Sequence, residues 1–345
     1  MPAATQTIDT PVPARALESP IFIVGAARSG TSLLSRLMNS HPRIAVPFES
    51  HIYSTFLPWL KYYGDLSKTG HMEKLLDDIL STEMLRHWSP QPDRSATLAS
   101  LRRDSLHGLV EALLSTWARA QNKERWGEKT PSHVMYWREL LEGFPEARFL
   151  HIVRDGRDVS LSWIDARFGP KNIYYSAIQW KQYLSWVDEL RAAVPAHQFL
   201  DIHYASLLAN PEATLQRICT FLGESFHPAM LEYHRDPAPY PTDARNVLAL
   251  EKPIQRHNTG KWKGVLSHDE VRVFEATAGS ALQQYGYALS TPNPAIHPAE
   301  RLRYRALHSP QRLLAMVRNR QGHREYLRWG LIYLGLRLRA PAYTW

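Results

Sequence analysis

The 345-residue chain is 44% hydrophobic and 11% aromatic, which is enough for one large α/β domain or two small ones and excludes a largely disordered protein. Its net charge of +8 is uneven, because ten arginines and two glutamates between Ala299 and Trp345 leave the residues before them neutral overall. The single cysteine, Cys219, excludes an internal disulfide and suits a reducing compartment.

Residues 1–19 are predicted to be a flexible leader. They contain no apolar run of the kind that a signal peptide or a membrane anchor requires. Together with the low cysteine content, this favours a cytoplasmic location.

The stretch Ile21–Ser40, IFIVGAARSGTSLLSRLMNS, predicts a buried strand, a glycine-containing turn and a helix. The backbone N–H groups of such a turn and the positive end of the helix point into one hollow, which favours phosphate binding. The side chains of the turn add one positive charge and three hydroxyl donors; these are Arg28, Ser29, Thr31 and Ser32. A turn that binds nothing would need only its glycines.

The turn differs at one position from the loop of nucleotide triphosphatases. Gly25 and Gly30 have the spacing of that GxxxxGK[ST] loop, but Thr31 stands where its lysine belongs. The positive charge has moved to Arg28, which argues against ordinary ATP or GTP hydrolysis. The turn instead resembles the 5′-phosphosulfate loop of the sulfotransferase superfamily, which has the form PRSGTT and follows the first strand. The resemblance implies that residues 28–32 bind the donor.

A second strand is predicted within His41–Val46, and Glu49 follows it. A carboxylate at the end of a strand in an open α/β sheet faces the ligand crevice, so Glu49 is a candidate general base. The alternative is a role at a helix N-terminus, since Glu49 begins another helical stretch. The resemblance favours the base, because tyrosylprotein and heparan sulfate sulfotransferases have a catalytic glutamate at about this point.

Residues 50–121 are predicted to be a helical insertion between strands of the sheet. Its aromatic and basic cluster over residues 53–63 is interpreted as core. The first turn of the insertion is interpreted as a lid over the acceptor site.

The loop Trp126–His133 interrupts the helices and contains Lys129. In sulfotransferases, a KTH, KTP or KDP segment supplies a lysine that stabilises the transferring group, and Lys129 matches that lysine. Cytosolic sulfotransferases have a histidine base two residues later, where this chain has Pro131. This departure removes the histidine mechanism and shifts the role of base to Glu49, while His133 is interpreted as a capping or packed side chain.

A second cationic junction between a strand and a helix is predicted at Arg148–Trp163. Arg154 at the strand end and Ser162, eight residues later, lie on the same side of the helix, so both can reach one phosphate. The 3′-phosphate motif of the superfamily has the same spacing. Asp155 and Asp158, at the start of the helix, are interpreted as partners of the helix dipole.

Two later segments match the superfamily over shorter stretches. Tyr204 follows the predicted strand Phe199–His203 and matches a tyrosine near the adenosine, with a purely structural phenol as the alternative. Lys261 lies in the loop Asn258–Gly264, which is similar to the segment that ends the cofactor site, and it is predicted to contact a phosphate.

Residues 299–345 are predicted to be a basic amphipathic tail, in which arginine alternates with leucine, tyrosine and tryptophan. The longest uncharged run, Trp329–Leu336, is far shorter than the roughly 20 residues of a transmembrane helix. Such a tail lies on an anionic membrane surface, here the inner face of the membrane, or binds a polyanionic acceptor, or is simply solvated. Nucleic-acid binding is not predicted, because no reading module accompanies the arginines.

The resemblance implies an α/β fold over residues 20–290, with a parallel sheet flanked by helices and a P-loop-like site. It implies a sulfotransferase that uses 3′-phosphoadenosine 5′-phosphosulfate, with Glu49, Lys129 and Arg28 catalytic and no metal. The acceptor is a hydroxyl of a glycan, lipid, small molecule or peptide tyrosine. One alternative is a P-loop-like kinase, which would need a lysine after Gly30. Another is a non-catalytic nucleotide- or membrane-binding protein, which would not depend on Glu49.

Overall fold

A computed structural model describes residues 19–166, 169–235 and 250–318, together with residues 330 and 334. Within this part of the chain, five parallel strands form one sheet. In chain order they are β1 (Ile21–Val24), β2 (Ile44–Ala45), β3 (Arg125–Glu128), β4 (Arg148–Val153) and β5 (Phe199–His203), and the sheet order is β2-β3-β1-β4-β5. The predicted parallel sheet is therefore confirmed.

Both faces of the sheet are covered, which explains the continuous apolar run of the first strand. Every residue of β1 is buried. Phe22 and Val24 belong to the core on one face, and Ile21 and Ile23 to the core on the other, because successive side chains of a strand point to opposite faces. An alternating polar pattern would have left one face exposed to solvent.

Helices supply the two covering layers. In chain order they are α1 (Thr31–Asn39), α2 (Ile52–Phe56), α3 (Thr69–Leu80), α4 (Glu83–Arg86), α5 (Arg94–Ala99), α6 (Leu106–Arg119), α7 (Trp137–Gly143), α8 (Gly156–Asp165), α9 (Ile173–Ala193), α10 (Tyr204–Ala209), α11 (Pro211–Leu222), α12 (Trp262–Val265), α13 (His268–Gln284) and α14 (Pro298–Arg318). Helices α1, α10 and α11 share a core with one face of the sheet, and α2, α3, α6, α9 and α13 share a core with the other. The helices that flank the sheet are thus as predicted.

Helices α2 to α6 lie between β2 and β3, in the block predicted as a helical insertion over residues 50–121. Three aromatic residues at its start belong to the core, since Tyr53, Phe56 and Tyr63 are at most 4% exposed, whereas Trp59 and Tyr62 are half-buried. The boundaries predicted for the domains, at residues 20–290 and 299–345, stay predictions.

The carboxyl ends of the parallel strands meet at one edge of the sheet, and the predicted site residues follow them. Gly25 comes directly after β1, Lys129 after β3, Arg154 after β4 and Tyr204 after β5. Glu49 lies four residues after β2. The topology therefore gathers side chains from distant parts of the sequence at the edge where open α/β sheets bind their ligands.

The first part of the predicted tail is helix α14, which packs on α9. The Tyr304 ring stacks on that of Tyr174 with centroids 5.8 Å apart, and the His308 ring lies 3.7 Å from that of Tyr175. Residues 1–18 and the part of the tail beyond Arg318, apart from residues 330 and 334, lie outside the described residues. Where the structure describes helices, none combines the length and apolar character needed to cross a bilayer.

Candidate active site

The turn between β1 and α1 has an unusual backbone conformation. Gly25 and Gly30 have φ angles of +147° and +102°, and Arg28 has a φ angle of +74°. A Cβ atom at Gly30 would lie 2.4 Å from the Tyr204 ring, and one at Gly25 would lie 2.5 Å from the carbonyl oxygen of Ile152. The two glycines therefore allow β4 and Tyr204 to close against the turn.

The turn opens into a cavity of about 950 Å³ at the carboxyl edge of the sheet. Most of the predicted site residues line it: Arg28, Gly30, Thr31, Ser32, Glu49, Arg154, Ser162, Tyr204 and Lys261. The other two, Ser29 and Lys129, are 1% and 0% exposed and lie next to lining residues. The structure thus brings together every side chain that the sequence analysis assigned to the site.

Lys129 joins the candidate base to the anion-binding turn. Its Nζ donates to Oε1 of Glu49 at 2.6 Å and to Oγ of Ser32 at 3.2 Å. The second carboxylate oxygen of Glu49 lies 2.9 Å from Nε2 of His51. A single fully buried ammonium group therefore contacts both the carboxylate and the turn.

Burial opposes the ionisation of Glu49, but the charge of Lys129 and the hydrogen bond from His51 outweigh it and hold the pKa of Glu49 well below its usual range. Glu49 is therefore a carboxylate at neutral pH, as a general base must be. Burial, together with the negative charge of Glu49, raises the pKa of the Tyr183 phenol to about 12. Tyr183 lines the same cavity and stays neutral.

Both cationic junctions of the sequence contribute side chains to the lining of the cavity. Burial and the positive charge of Arg154 lower the pKa of Arg28, although the residue stays charged at neutral pH. Of the buried side-chain polar atoms that have no hydrogen-bond partner in the described part of the chain, three belong to these two junctions: Nε of Arg28, Oγ of Ser29 and Nε of Arg154. Because buried donors are normally paired, these atoms indicate a site built for anionic groups.

Helix α8 also holds the loop that closes the cavity, a role that the sequence analysis did not give to Asp158. Its Oδ2 accepts the backbone N–H of Gly260 at 2.7 Å, and its Oδ1 accepts that of Trp262 at 3.0 Å. Asn258, which the analysis left without a role, accepts from Arg154 through its carbonyl oxygen at 2.9 Å and donates to the Tyr204 hydroxyl at 2.8 Å. No local pattern in the sequence marks these contacts, since they join residues between 54 and 104 positions apart.

Trp262 anchors that loop and does not line the cavity. Its ring lies 3.8 Å from Cζ of Arg157 and is 7% exposed. Arg157 is also paired with Asp155 at 2.7 Å and Glu275 at 2.6 Å. Lys261, the neighbour of Trp262, is exposed at the edge of the cavity, and its contact with a phosphate stays a prediction.

His133 lies outside the cavity lining. It is 1% exposed, and its Nδ1 lies 3.0 Å from Oε2 of the buried Glu128. This position matches the interpretation of His133 as a packed side chain. In the described residues there is no group of three or more histidine, cysteine or carboxylate side chains that could hold a metal ion.

An anion-binding turn, a paired carboxylate and lysine, and a second cationic junction, all at the edge of a parallel sheet, define an enzyme that transfers a group from a phosphorylated donor. The sequence profile of the sulfotransferase family matches residues 20–228, and the chain belongs to that family.

Named relatives agree with this assignment. The chain is 26% identical to the omega-hydroxy-beta-dihydromenaquinone-9 sulfotransferase Stf3 of Mycobacterium bovis, over 82% of this chain and 79% of that protein. It is 22% identical to the protein-tyrosine sulfotransferase A of Caenorhabditis elegans, over 77% of this chain and 67% of that protein. The fold is similar to that of the sulfotransferase domain of the Synechococcus PCC 7002 olefin synthase, with a TM-score of 0.53, 21% identity and coverage of 79% and 97% of the two chains.

The protein is therefore a sulfotransferase that moves a sulfuryl group from 3′-phosphoadenosine 5′-phosphosulfate to an acceptor hydroxyl. The unpaired buried donors of Arg28, Ser29 and Arg154 fit a donor that carries phosphate at both its 5′ and 3′ positions. The kinase and the non-catalytic binding protein are set aside.

Proposed function

We propose that Glu49 is the general base of this sulfotransferase and that Arg28 and Lys129 stabilise the charge that develops during transfer. The observation that carries the proposal is the position of Lys129, whose ammonium group lies between the Glu49 carboxylate and Ser32 of the anion-binding turn. The donor supplies a sulfuryl group attached to a 5′-phosphate leaving group. Glu49 accepts the proton of the acceptor hydroxyl while the oxygen of that hydroxyl forms a bond to sulfur. The leaving phosphate keeps the electron pair of the broken S–O bond.

The lysine also controls the strength of the base. A carboxylate paired with a buried ammonium group is a weak proton acceptor, because the pairing holds its pKa down. Lys129 reaches Ser32 as well as Glu49, so negative charge at the turn draws the ammonium group away from the carboxylate. Glu49 becomes more basic when the donor site is filled, which restricts proton abstraction to the complex.

Donor binding is assigned to the two cationic junctions. Arg28, Ser29, Gly30, Thr31 and Ser32 hold the 5′ end, with the backbone N–H groups at the start of α1. Arg154, Ser162 and Lys261 hold the 3′-phosphate. Tyr204 lies beside the adenosine. The geometry supports this division, because Arg154, directly after β4, and Ser162, on α8, both line the cavity. Tyr204 supports it as well, since its ring lies 4.7 Å from Cζ of Arg154.

We propose that the acceptor is an uncharged, largely apolar alcohol or phenol. Away from the two cationic junctions, seven described residues of the lining are neutral, and they come from the loop before the insertion, the insertion, α8 and α9: Phe48, Thr55, Thr82, Met84, Leu161, Gln179 and Tyr183. The cationic lining residues belong to the donor side, apart from His51 beside the base. An acidic peptide or a sulfated glycan would need cations on the acceptor side, whereas an apolar hydroxyl compound buries against this surface. The hydroxylated quinone in the name of the mycobacterial relative is of this kind.

A panel of acceptors tests both parts of the proposal. The purified protein is incubated with ³⁵S-labelled donor and, in turn, 2-naphthol, a detergent-dispersed long-chain alcohol, an acidic tyrosine peptide and heparan sulfate. We expect label to appear in the first two, and to be lost when Glu49 is changed to Gln. Label found chiefly in the peptide or the glycan would refute the apolar acceptor and leave the sulfotransferase activity in place.

We further propose a cytoplasmic location with a peripheral contact to the inner face of the membrane. The free, buried thiol of Cys219 supports a reducing compartment. The excess arginine after residue 298 supports attraction to anionic lipid. An apolar acceptor dissolved in the bilayer would then be close to the enzyme.

A further inference from the structure

The segment Glu128–Thr130 contacts the loop of Glu49 from two sides. Thr130 has an extended backbone, with φ −134° and ψ 113°, so neighbouring side chains in this segment point in opposite directions. Lys129 points toward the cavity and contacts Glu49 and Ser32. The side chains on either side of it point toward the backbone that follows Glu49.

The Thr130 hydroxyl holds two backbone N–H groups at once. Its oxygen accepts from the N–H of Ser50 at 3.1 Å and from the N–H of His51 at 3.3 Å. Its proton is donated to Oε1 of Glu128 at 2.6 Å. A hydroxyl has one proton and two lone pairs, so every bond that this group can make is used.

Glu128 fixes the direction of that hydroxyl. Its carboxylate is 2% exposed, and it also accepts from Oγ of Ser50 at 2.9 Å and lies 3.0 Å from Nδ1 of His133. Burial opposes its ionisation, but His133 and the hydroxyl donors hold the pKa of Glu128 below its usual value. An ionised carboxylate only accepts, so the Thr130 proton must point to it and the lone pairs must face the loop.

The loop needs this support because its backbone is strained. His51 has a φ angle of +52°, in the left-handed region that side chains other than glycine adopt at a cost. Glu49 comes two residues before it, and the His51 ring contacts the Glu49 carboxylate. If the two N–H bonds were lost, the turn would relax and the carboxylate would change direction.

We infer that Thr130, oriented by Glu128, is a positioning residue that aims the Glu49 carboxylate at the acceptor proton. The inference rests on the proposed role of Glu49 as base. Thr130 touches neither donor nor acceptor, because it is fully buried and does not line the cavity. Its effect on the reaction passes through the backbone of Ser50 and His51.

The first experiment compares Thr130→Val, which keeps the shape but removes the hydroxyl, with Thr130→Ser, which keeps the hydroxyl. The turnover measured is that with the best acceptor of the panel, or donor hydrolysis by water if no acceptor reacts. We expect Thr130→Val to lower kcat about 10- to 100-fold, since a misaimed catalytic group costs that much, and Thr130→Ser to restore most of it. The affinity for 3′-phosphoadenosine 5′-phosphate should stay unchanged in both. Thr97→Val, which also removes a fully buried hydroxyl but lies on α5 away from the site, is the matched control.

The decisive readout is a double-mutant cycle with Glu49→Gln. If Thr130 acts through Glu49, adding Thr130→Val to Glu49→Gln lowers kcat no further. If Thr130→Val lowered kcat by the same factor in the wild type and in Glu49→Gln, Thr130 would serve stability alone. The inference would then be overturned. If 3′-phosphoadenosine 5′-phosphate no longer stabilises Thr130→Val, that variant is misfolded, and the same cycle is run with Glu128→Gln in its place. That change keeps the hydroxyl but weakens the group that orients it.

The two proposals fail in different ways. Full activity of Glu49→Gln would overturn the proposed base, whatever Thr130 does. An inactive Glu49→Gln together with a fully active Thr130→Val would overturn only the positioning role.

Discussion

Lys129 shows how a single residue can combine two functions. A lysine with no exposed surface needs a partner, because an unpaired buried ammonium group is costly. Glu49 provides that partner, and the hydroxyl of Ser32 provides a second contact. The same bonds that make burial tolerable place the charge where it is needed for transfer.

The role of Glu49 as base predicts the effect of Glu49→Gln. The amide keeps the shape of the side chain but cannot accept the acceptor proton, so turnover should fall by about 100-fold or more. Donor binding should stay nearly intact, since the phosphate contacts are elsewhere. Kinetics with ³⁵S-labelled donor and a binding isotherm for 3′-phosphoadenosine 5′-phosphate measure the two effects. Retained turnover would move the search for the base to His51, which lines the cavity.

The pairing with Lys129 predicts the pH dependence. The pKa of Glu49 lies well below its usual value of about 4.5, so kcat/KM of the wild type should not fall between pH 8 and pH 5 through protonation of the base. In Lys129→Ala, the largest influence that opposes burial is removed and only that of His51 remains, so the pKa of Glu49 should rise. Since the protonated carboxyl is inactive, kcat/KM of this variant should fall at a higher pH than in the wild type.

The position of the acid limb, and not the height of the plateau, is the readout, because Lys129→Ala also loses charge stabilisation. A wild-type limb near pH 6.5 would point to a histidine base and contradict the assignment.

At the scale of elements, the site depends on how a strand leads into a helix. The β1–α1 junction forms its part of the cavity with a turn that requires glycine at two positions. The β4–α8 junction contributes two side chains to the cavity, Arg154 before the helix and Ser162 within it. Its Asp158 also holds the loop of Gly260 and Trp262 over the cavity. Helix α8 therefore supports the closing loop and also carries Ser162, one of the residues proposed to bind the 3′-phosphate.

This arrangement predicts which nucleotide stabilises the fold. 3′-Phosphoadenosine 5′-phosphate should raise the melting temperature by several degrees at a concentration of about 100 times its Kd, whereas ATP with magnesium should raise it weakly or not at all. ATP lacks the 3′-phosphate that Arg154 and Ser162 are proposed to bind. Arg154→Ala should abolish most of the shift without unfolding the protein, measured by differential scanning fluorimetry.

Arg138→Ala serves as the control, because that guanidinium is 68% exposed on α7, away from the cavity. Equal stabilisation by both nucleotides would refute the 3′-phosphate site.

At the scale of the whole molecule, the excess positive charge lies after residue 298, outside the part of the chain that forms the candidate active site. Helix α14 is fixed to the body by aromatic stacking on α9 and by the pair between Arg272 and Glu300, whose nitrogen and oxygen are 2.6 Å apart. It presents Leu302, which is 68% exposed, beside arginines of the same helix. This arrangement is compatible with the proposed contact with anionic lipid, in which the arginines would supply the attraction.

The proposed membrane contact predicts the effect of removing residues 319–345, a cut that keeps helix α14 whole. The full chain should sediment with anionic vesicles at low salt, and the shortened chain should do so much less, while its donor binding is unchanged. Binding should weaken as salt rises, because the range of the attraction shrinks to about 10 Å at 0.1 M. Vesicles of neutral lipid are the control. If the full chain does not sediment with anionic vesicles at low salt, the arginines have another role.

The sequence by itself determined the family, the parallel sheet and most of the site. That information is contained in short stretches of sequence, each of fewer than ten residues. They are the apolar run of β1, the glycines and hydroxyls of its turn, and the segment from Arg154 to Ser162. Anion binding at a turn and helix start is a local property of the backbone, so it can be predicted before the fold is known.

Only the tertiary structure decided which distant residues cooperate. The bond between Lys129 and Glu49 joins positions 80 apart, Thr130 reaches Ser50 across the same distance, and Asp158 holds residues about 100 positions away. Such contacts follow from the order of the strands, which sets β2 beside β3 and brings both strand ends to one edge. In the sequence, Asp158 looks like any acidic residue at the start of a helix, and Thr130 carries no signal of its later role. Their roles arise because a buried donor must find its acceptor wherever the fold places it.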